Sequence, residues 1–424
     1  MTVATLLEAV FAREGPQVLA ALSARARGDI VAAEEAYQEA CARAVVSWAS
    51  TGLPPKPGAW LTVVGQRCRV DEHRHQRRHD GESALEHLTA PSELERSVPD
   101  SEPIDERLKV LFLCCHPALE PRVQVSLALR LLCGLTTRQI ARAFMEDEST
   151  TAQRLTRAKT KIREAGISVE LPGPEALTER LSAVLMTLYL LFNEGYAATD
   201  ADDLMRPELC GEAIGLQRLL LQLLPERLAT PAGLQAESEG LLALMLAHHA
   251  RREARVDASG ALVLLALQDR SRFDRVGVAE AEQVLERALA RHAVGPYQLQ
   301  AAIAVLHATA PSADATDWRQ IAGLYTLLER LVPTPMISLN AAVARAFAGD
   351  LTGALEALEA LAHEAALAQH HLVHTSRAGL LVRAGRLNEA VEAYARALGL
   401  VSNAVERRCL EALHAEALAA LTTH

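Results

Sequence analysis

"TTRQIARAFMEDESTTAQRLTRAKTKI", residues 136–162, reads as two short helices around a tight turn. Ile140, Ala141 and Phe144 give the first an apolar face, with Ala141 small where a partner helix must cross. On the second, Ala152, Leu155, Ala158 and Ile162 recur at helical spacing and are expected to face inward. Arg154, Arg157 and Lys161 keep the same spacing on another face, flanked by Lys159 and Arg163. One side packs and the other is left to meet phosphates and base edges, as when a protein presents a helix to a DNA groove. A merely solvated charged face is the competing reading of this pattern. Glu146, Asp147 and Glu148 open the second helix. Acids suit its positive dipole end and are expected to cap it, and they would repel phosphate if that end entered a groove.

Upstream, "AWLTVVGQRCRVDEHRHQRR" (59–78) is a second amphipathic basic helix, with Leu61, Val64 and Cys68 on one stripe and Arg67, Arg74 and Arg78 on another. The loop before it, "ASTGLPPKPG" (49–58), is stiffened by three prolines and could hold an unstacked base beside the helix, or be a simple turn. Before that, "AAEEAYQEACARAVVSW" (32–48) gathers Glu34, Glu35, Gln38 and Glu39 on its early turns. Such an acidic patch suits a basic partner protein and not DNA.

The 424 residues are half apolar and only 4% aromatic, rich in Ala, Leu, Arg and Glu, a mixture that favours an all-α protein of several domains. The net charge of −10 is unevenly placed. Residues 1–170 carry 22 basic and 23 acidic side chains, residues 171–424 carry 21 and 30, so whole-chain acidity does not exclude a DNA-binding front. Residues 80–106 hold nine acids, one base and three prolines, the composition of an extended linker. "LPGPEAL" (171–177) marks a second break. "RVDASGALVLL" (255–265) is the one place where a small hairpin is expected. The seven scattered cysteines, 41, 68, 114, 115, 133, 210 and 409, form no framework and fit a reducing compartment. The N-terminus lacks a signal-peptide pattern, and the longest apolar stretch, 181–192, is too short for a bilayer, so a cytoplasmic protein with no membrane partner is expected.

The tail repeats itself. "AVARAFAGDLTGALEALEAL" (342–361) and "LLVRAGRLNEAVEAYARAL" (380–398) place Gly349 and Ala354 against Gly385 and Ala390, 36 residues apart, and "DWRQIAGLYTLLERLVPTP" (317–335) supplies an earlier second helix. Small residues for close helix approach around a turn glycine are the mark of tetratricopeptide-type pairs. No nucleotide-binding, zinc-protease or hydrolase fingerprint occurs, and an enzyme is not expected. In "CCHP" (114–117) adjacent side chains diverge, which suits core packing rather than zinc. His370 and His374 in "HHLVH" have ligand spacing without a third or fourth ligand, so neither metal nor cofactor is expected. Asn193 and Glu194 in "FNEGY" are expected to close a helix rather than face a ligand.

Taken in order, these pieces resemble bacterial RNA polymerase sigma factors of the extracytoplasmic-function group, and more narrowly the subgroup with a helical, tetratricopeptide-like C-terminal extension. "AEEAYQEACARAV" is similar to region 2.2, "PGAWLTVVGQRCRVDEHRHQRR" to regions 2.3 and 2.4, and "GLTTRQIARAFMEDESTTAQRLTRAKTKI" to region 4.2. "DERLKVLFLCCHPALEPRVQVSLALRLLCGL", "YLLFNEGYAAT", "QDRSRFD", "GPYQLQAAIAVLHA" and "TDWRQIAGLYTLL" also match the subgroup. The resemblance implies a region 2 domain at 1–79, an acidic linker at 80–104, a region 4 domain at 105–170, a helical extension at 174–294 and tetratricopeptide-like repeats at 295–424. It implies that Glu34, Glu35, Gln38 and Glu39 dock on core RNA polymerase. Lys56, Trp60, Arg67, Arg69, Arg74 and Arg78 would meet the minus-ten element of promoter DNA, and Thr150, Gln153, Arg154, Arg157, Lys159 and Lys161 the minus-thirty-five element. A protein or small-molecule effector would act on the extension. Glu72, His73 and His75, the acids at 146–148, and Ala266 with Leu267 depart from the subgroup's usual residues. An adaptor with degenerate DNA-binding domains is the other reading. Under the first reading polymerase supplies the phosphate contacts, and a bidentate base contact worth about 1–3 kcal/mol is enough to choose a promoter.

Overall fold

The computed structural model describes residues 3–26, 28–79, 103–144, 146–167, 169–197, 205–227, 231–257, 261–365 and 367–423. Among them the chain forms eighteen α-helices and no strand longer than one isolated bridge. It divides into two compact units, residues 1–191 and 192–424. The acidic segment 80–102 lies outside the described residues.

Unit 1 begins with three packed helices, α1 (Val3–Arg25), α2 (Ile30–Thr51) and α3 (Pro57–His79). Asp29 caps α2 through the Ala32 amide, and Gly28 precedes it at φ 91°, a conformation open to glycine. Ala33, Ala36, Ala40, Ala44 and Trp48 recur on the inner face of α2. Their small side chains let α3 approach closely at Gly65, where an added Cβ would stand 2.9 Å from Leu22 and 3.0 Å from the Ala36 carbonyl oxygen. Helix α1 also packs on α4 (Pro103–Cys114) and α5 (Pro121–Leu131). So α4 starts at Pro103, inside the segment expected to be linker. Leu111, Phe112, Leu113, Cys114 and Cys115 are all buried, and Cys115 Sγ donates to Thr187 Oγ1, so the two cysteines of "CCHP" are core, while His116 is half-buried and Pro117 exposed. Burial pushes the Cys115 and Cys133 thiols up to about 12. Two further helices, α6 (Thr137–Ala143) and α7 (Glu148–Glu164), lead to α8 (Pro174–Tyr196), within which the division into units falls.

Unit 2 continues with α9 (Pro207–Arg227), α10 (Ala232–His249), α11 (Arg275–Leu289) and α12 (Pro296–Thr309), with α10 packed against α9, α11 and α12. The expected hairpin is present as a single antiparallel bridge, Val256 to Leu262, its turn 258–260 lying outside the described residues. Six helices follow, each packed on the next: α13 (Trp318–Leu331), α14 (Pro335–Phe347), α15 (Leu351–His363), α16 (His371–Arg383), α17 (Leu387–Leu400) and α18 (Ala404–Thr423). The chain turns alike after α14 and α16. Gly349 and Gly385 have φ 116° and 73°, and the next amides, Asp350 and Arg386, return to the carbonyls of Arg345 and Leu381. Ala354 and Ala390, three to five residues beyond each turn, are fully buried where helices meet. His370 is not on a helix with His374. It caps α16 through the Leu372 amide, while His374 meets the Ala368 carbonyl, so their ligand spacing is not realised.

Candidate nucleic-acid interface

Helix α6 is started by a reciprocal cap: Gln139 donates its amide to Thr136 Oγ1 at 3.2 Å, and Thr136 donates its own to Gln139 Oε1 at 2.8 Å. The Thr-x-x-Gln spacing was there to be read in the sequence. Ile140 and Ala141 are buried, and the Phe144 ring meets two guanidinium groups, Arg122 at 5.0 Å and Arg154 at 5.7 Å from its centre. Leu155, Ala158 and Ile162 hold α7 in place. The fourth buried position is Thr151, not the expected Ala152, which is exposed.

Thr151 can be buried because its hydroxyl donates to Glu146 Oε1 at 2.6 Å. Glu146 also takes both terminal nitrogens of Arg154 and stands 3.3 Å from Arg122. It is therefore a bridging acid of the turn and not a cap. Asp147 occupies the cap position of α7 without a side-chain hydrogen bond. The Arg154 hydrogen bonds, helped by Thr151 and Arg122, hold the Glu146 carboxyl below its usual range against the effect of burial. Arg154, expected on the outward face, is thus spoken for.

The outward stripe of α7 is Thr150, Gln153, Arg157 and Lys161, all exposed. Lys161 Nζ donates to the Ala118 carbonyl. Lys159 turns away from this stripe to pair with Glu34 of α2. Glu34 also meets Arg130 Nε at 3.2 Å, and Arg130 Nη1 donates to the Leu135 carbonyl. Glu34 thereby leaves the acidic patch expected on α2. Glu35, Gln38 and Glu39 remain exposed, Glu39 with Arg43 at 2.8 Å. Arg122 and Arg130 were missed by sequence reasoning, and nothing local in the sequence points to their partners.

At α3, Lys56 in the preceding loop and Arg67 are exposed. Trp60 stacks edge-on against buried Trp48, ring centres 5.2 Å apart, so much of its surface closes the α1–α3 core. Arg69 is half-buried, and burial, with Arg25 near, lowers its pKa while Asp29 opposes the shift. The side chains of Arg74 and Arg78 lie outside the described residues. Among the described residues no cluster of three or more His, Cys, Asp or Glu could hold a metal, and no helix is long and apolar enough to cross a membrane.

Residues 109–162, which hold the second half of α4 and all of α5 and α6 with nearly all of α7, match the family model described as sigma-70, region 4. An uncharacterised protein of Rhizobium meliloti (strain 1021) is 43% identical over 395 residues, covering 92% of this chain and 91% of its own length. The chain belongs to that protein's family, a sigma-factor family by its region 4. Residues 180–289 match a family of unknown function, DUF6596. Region 4 is thus the segment that carries the outward stripe of α7, and a sigma-factor-like DNA-binding role in transcription follows from it.

Proposed function

We propose that the chain is an alternative sigma factor of the extracytoplasmic-function type, which directs core RNA polymerase to particular promoters. The observation that carries this reading is the α6–α7 pair inside the region 4 match, packed by one face and presenting Thr150, Gln153, Arg157 and Lys161 on the other. These four would read the minus-thirty-five element. Lys56 and Arg67, with Trp60, Arg69, Arg74 and Arg78, would serve the minus-ten element. Glu35, Gln38 and Glu39 would meet a basic surface of polymerase. Glu34, Arg154 and Lys159 join those surfaces only when their present ion pairs open, and holoenzyme assembly would supply the competing contacts. The matched glycine turns after α14 and α16 support a tetratricopeptide-like reading of the tail, where an effector would act.

The test is reconstitution with purified core polymerase. The full chain is expected to co-purify with core and to direct runoff transcription from a promoter that core alone ignores. Arg157→Ala and Gln153→Ala should each lower that transcription by about tenfold to a hundredfold, the loss of one base contact, while leaving core binding intact. Core binding without promoter-dependent transcription would favour the adaptor reading, which the engagement of Arg154 and Lys159 keeps in view. No core binding would end both.

A further inference from the structure

Among the described residues, unit 2 contains a group of buried cations that form no ion pair with a carboxylate. Arg251 follows α10, Arg255 lies four residues on, and Arg270 opens the 3-10 turn Arg270–Arg272. They are 5%, 8% and 8% exposed. Arg251 is the electrostatic neighbour of both others and of His248 and His307. All three guanidinium groups donate to neutral acceptors. Arg251 reaches Gln268 Oε1 at 3.1 and 3.3 Å, Arg255 the Tyr196 carbonyl, and Arg270 the His307 carbonyl. Arg255 also lies over the Tyr196 ring, 3.6 Å from its centre.

The nearby acids among the described residues are otherwise engaged. Glu253 and Asp274 face Arg252, Asp269 accepts from Ser271, and Glu406, the carboxylate acting on Arg255, sits 3.4 Å from His371. Buried charge without a counter-charge is costly, and neutral hydrogen bonds recover only part of the loss. Two of the three have a structural role at helix ends. Tyr196 is the last residue of α8, and His307 lies in the last turn of α12, where carbonyls and the helix dipole favour a cation. Arg251 has no such end and meets only an amide oxygen.

Two imidazoles complete the group. His248 and His307 each bury an Nδ1 atom with no hydrogen-bond partner among the described residues, although neither residue as a whole is fully buried. Burial first, and then the neighbouring arginines, push His248 down to about 3 and His307 to about 4, so both are neutral at pH 7 and able to donate one N–H. Tyr196 and Trp318 flank these rings at 4.8 and 5.1 Å between centres. The place is positive and rich in donors, with aromatic rings beside it.

We propose that Arg251, Arg255, Arg270, His248 and His307 form a binding site for the phosphate group of a small molecule. A single carboxylate is satisfied by one arginine fork, whereas a phosphate dianion has the charge and the number of oxygens to engage several donors arranged around Arg251. The site lies wholly within residues 192–424 and stands apart from the promoter reading, because its occupancy is measured without polymerase or DNA.

Isothermal titration of the full chain with inorganic phosphate, ribose 5-phosphate and acetate tests it. Saturable binding of either phosphate, with acetate silent, is expected. Tighter binding of ribose 5-phosphate identifies an ester ligand, and equal binding identifies free phosphate. Arg251→Gln should weaken the binding by about tenfold or more, whereas Arg218→Gln, an exposed partner of Glu280 on α11, should leave it unchanged. Phenylglyoxal labelling of the unaltered chain followed by peptide mapping removes dependence on the variant's folding: phosphate should protect Arg251, Arg255 and Arg270 and not Arg218. Absence of saturable phosphate binding up to roughly ten millimolar, equal affinity in a folded Arg251→Gln chain, or protection that spares these three arginines would overturn the proposal.

Discussion

Glu146 shows how one side chain can change the meaning of a charged turn. Read locally, it is an acid that repels phosphate. In the structure it neutralises Arg154, satisfies Thr151 and faces Arg122, so its charge is spent inside the protein. Glu146→Gln should lower stability at pH 7 by about 1–3 kcal/mol, the scale of a lost charge-assisted bidentate bond. The sign with pH follows from a folded carboxyl held below its ordinary 4.5: the contribution is complete above that value and disappears as pH falls through the depressed one. Thermal unfolding of the two proteins should therefore differ less as pH falls below 4.5 than at pH 7. Glu34 and Lys159 make a similar case across 125 residues of sequence. A double-mutant cycle with Glu34→Gln and Lys159→Met should return a coupling of about 0.5–3 kcal/mol in chemical denaturation, and additivity would mean that the pair is not formed in solution.

Among the elements, what could be read in advance is what depends on neighbours a turn away. Leu155, Ala158 and Ile162 announce the inner face of α7 because helical spacing is local, and the same spacing finds Ala33, Ala36, Ala40 and Ala44 on α2. Thr151 escaped because apolar periodicity ignores a polar residue whose partner is built by the preceding turn. His370 escaped for the opposite reason: the spacing was right, but the helix begins one residue later and uses it as a cap. The hairpin shrank to one bridge, flanked by the Asp257–Ala261 and Val263–Arg255 hydrogen bonds, because so short a two-stranded pair is marginal by itself. The α2–α3 contact offers a sharp test of packing. Gly65→Ala puts a methyl against Leu22 and the Ala36 carbonyl, and should cost about 1–3 kcal/mol in thermal unfolding of the full chain. An Ala at exposed Gly211 on α9, where nothing stands within 4 Å, should be neutral or mildly stabilising.

For the whole molecule, the candidate DNA-binding stripe was legible in outline, and its electrostatics were not. Sequence could count cations on α7, but which of them are already partnered depends on Glu34 and Glu146, one of them far along the chain. The buried imidazoles were equally hidden, since His248 and His307 look like any other histidines in an alanine-rich helix. They give the chain a distinctive response to acid. Both have folded pKa values, about 3 and about 4, far below the ordinary 6.5. Between those limits the unfolded chain takes up protons that the folded chain does not. Stability is therefore full above about pH 6.5 and declines below it, by up to roughly 1.4 kcal/mol per pH unit for each histidine. His248→Gln should flatten that decline in denaturant titrations at pH 7, 6 and 5.

The buried sulfur atoms carry a consequence of their own. Six of the seven cysteines, Cys41, Cys114, Cys115, Cys133, Cys210 and Cys409, have their ionisation displaced upward, with desolvation the leading cause. Peroxides and electrophiles attack the thiolate form, which these positions withhold at neutral pH. An oxidising burst is therefore expected to modify those six thiols slowly, and peroxide titration of the folded chain with mass mapping checks it.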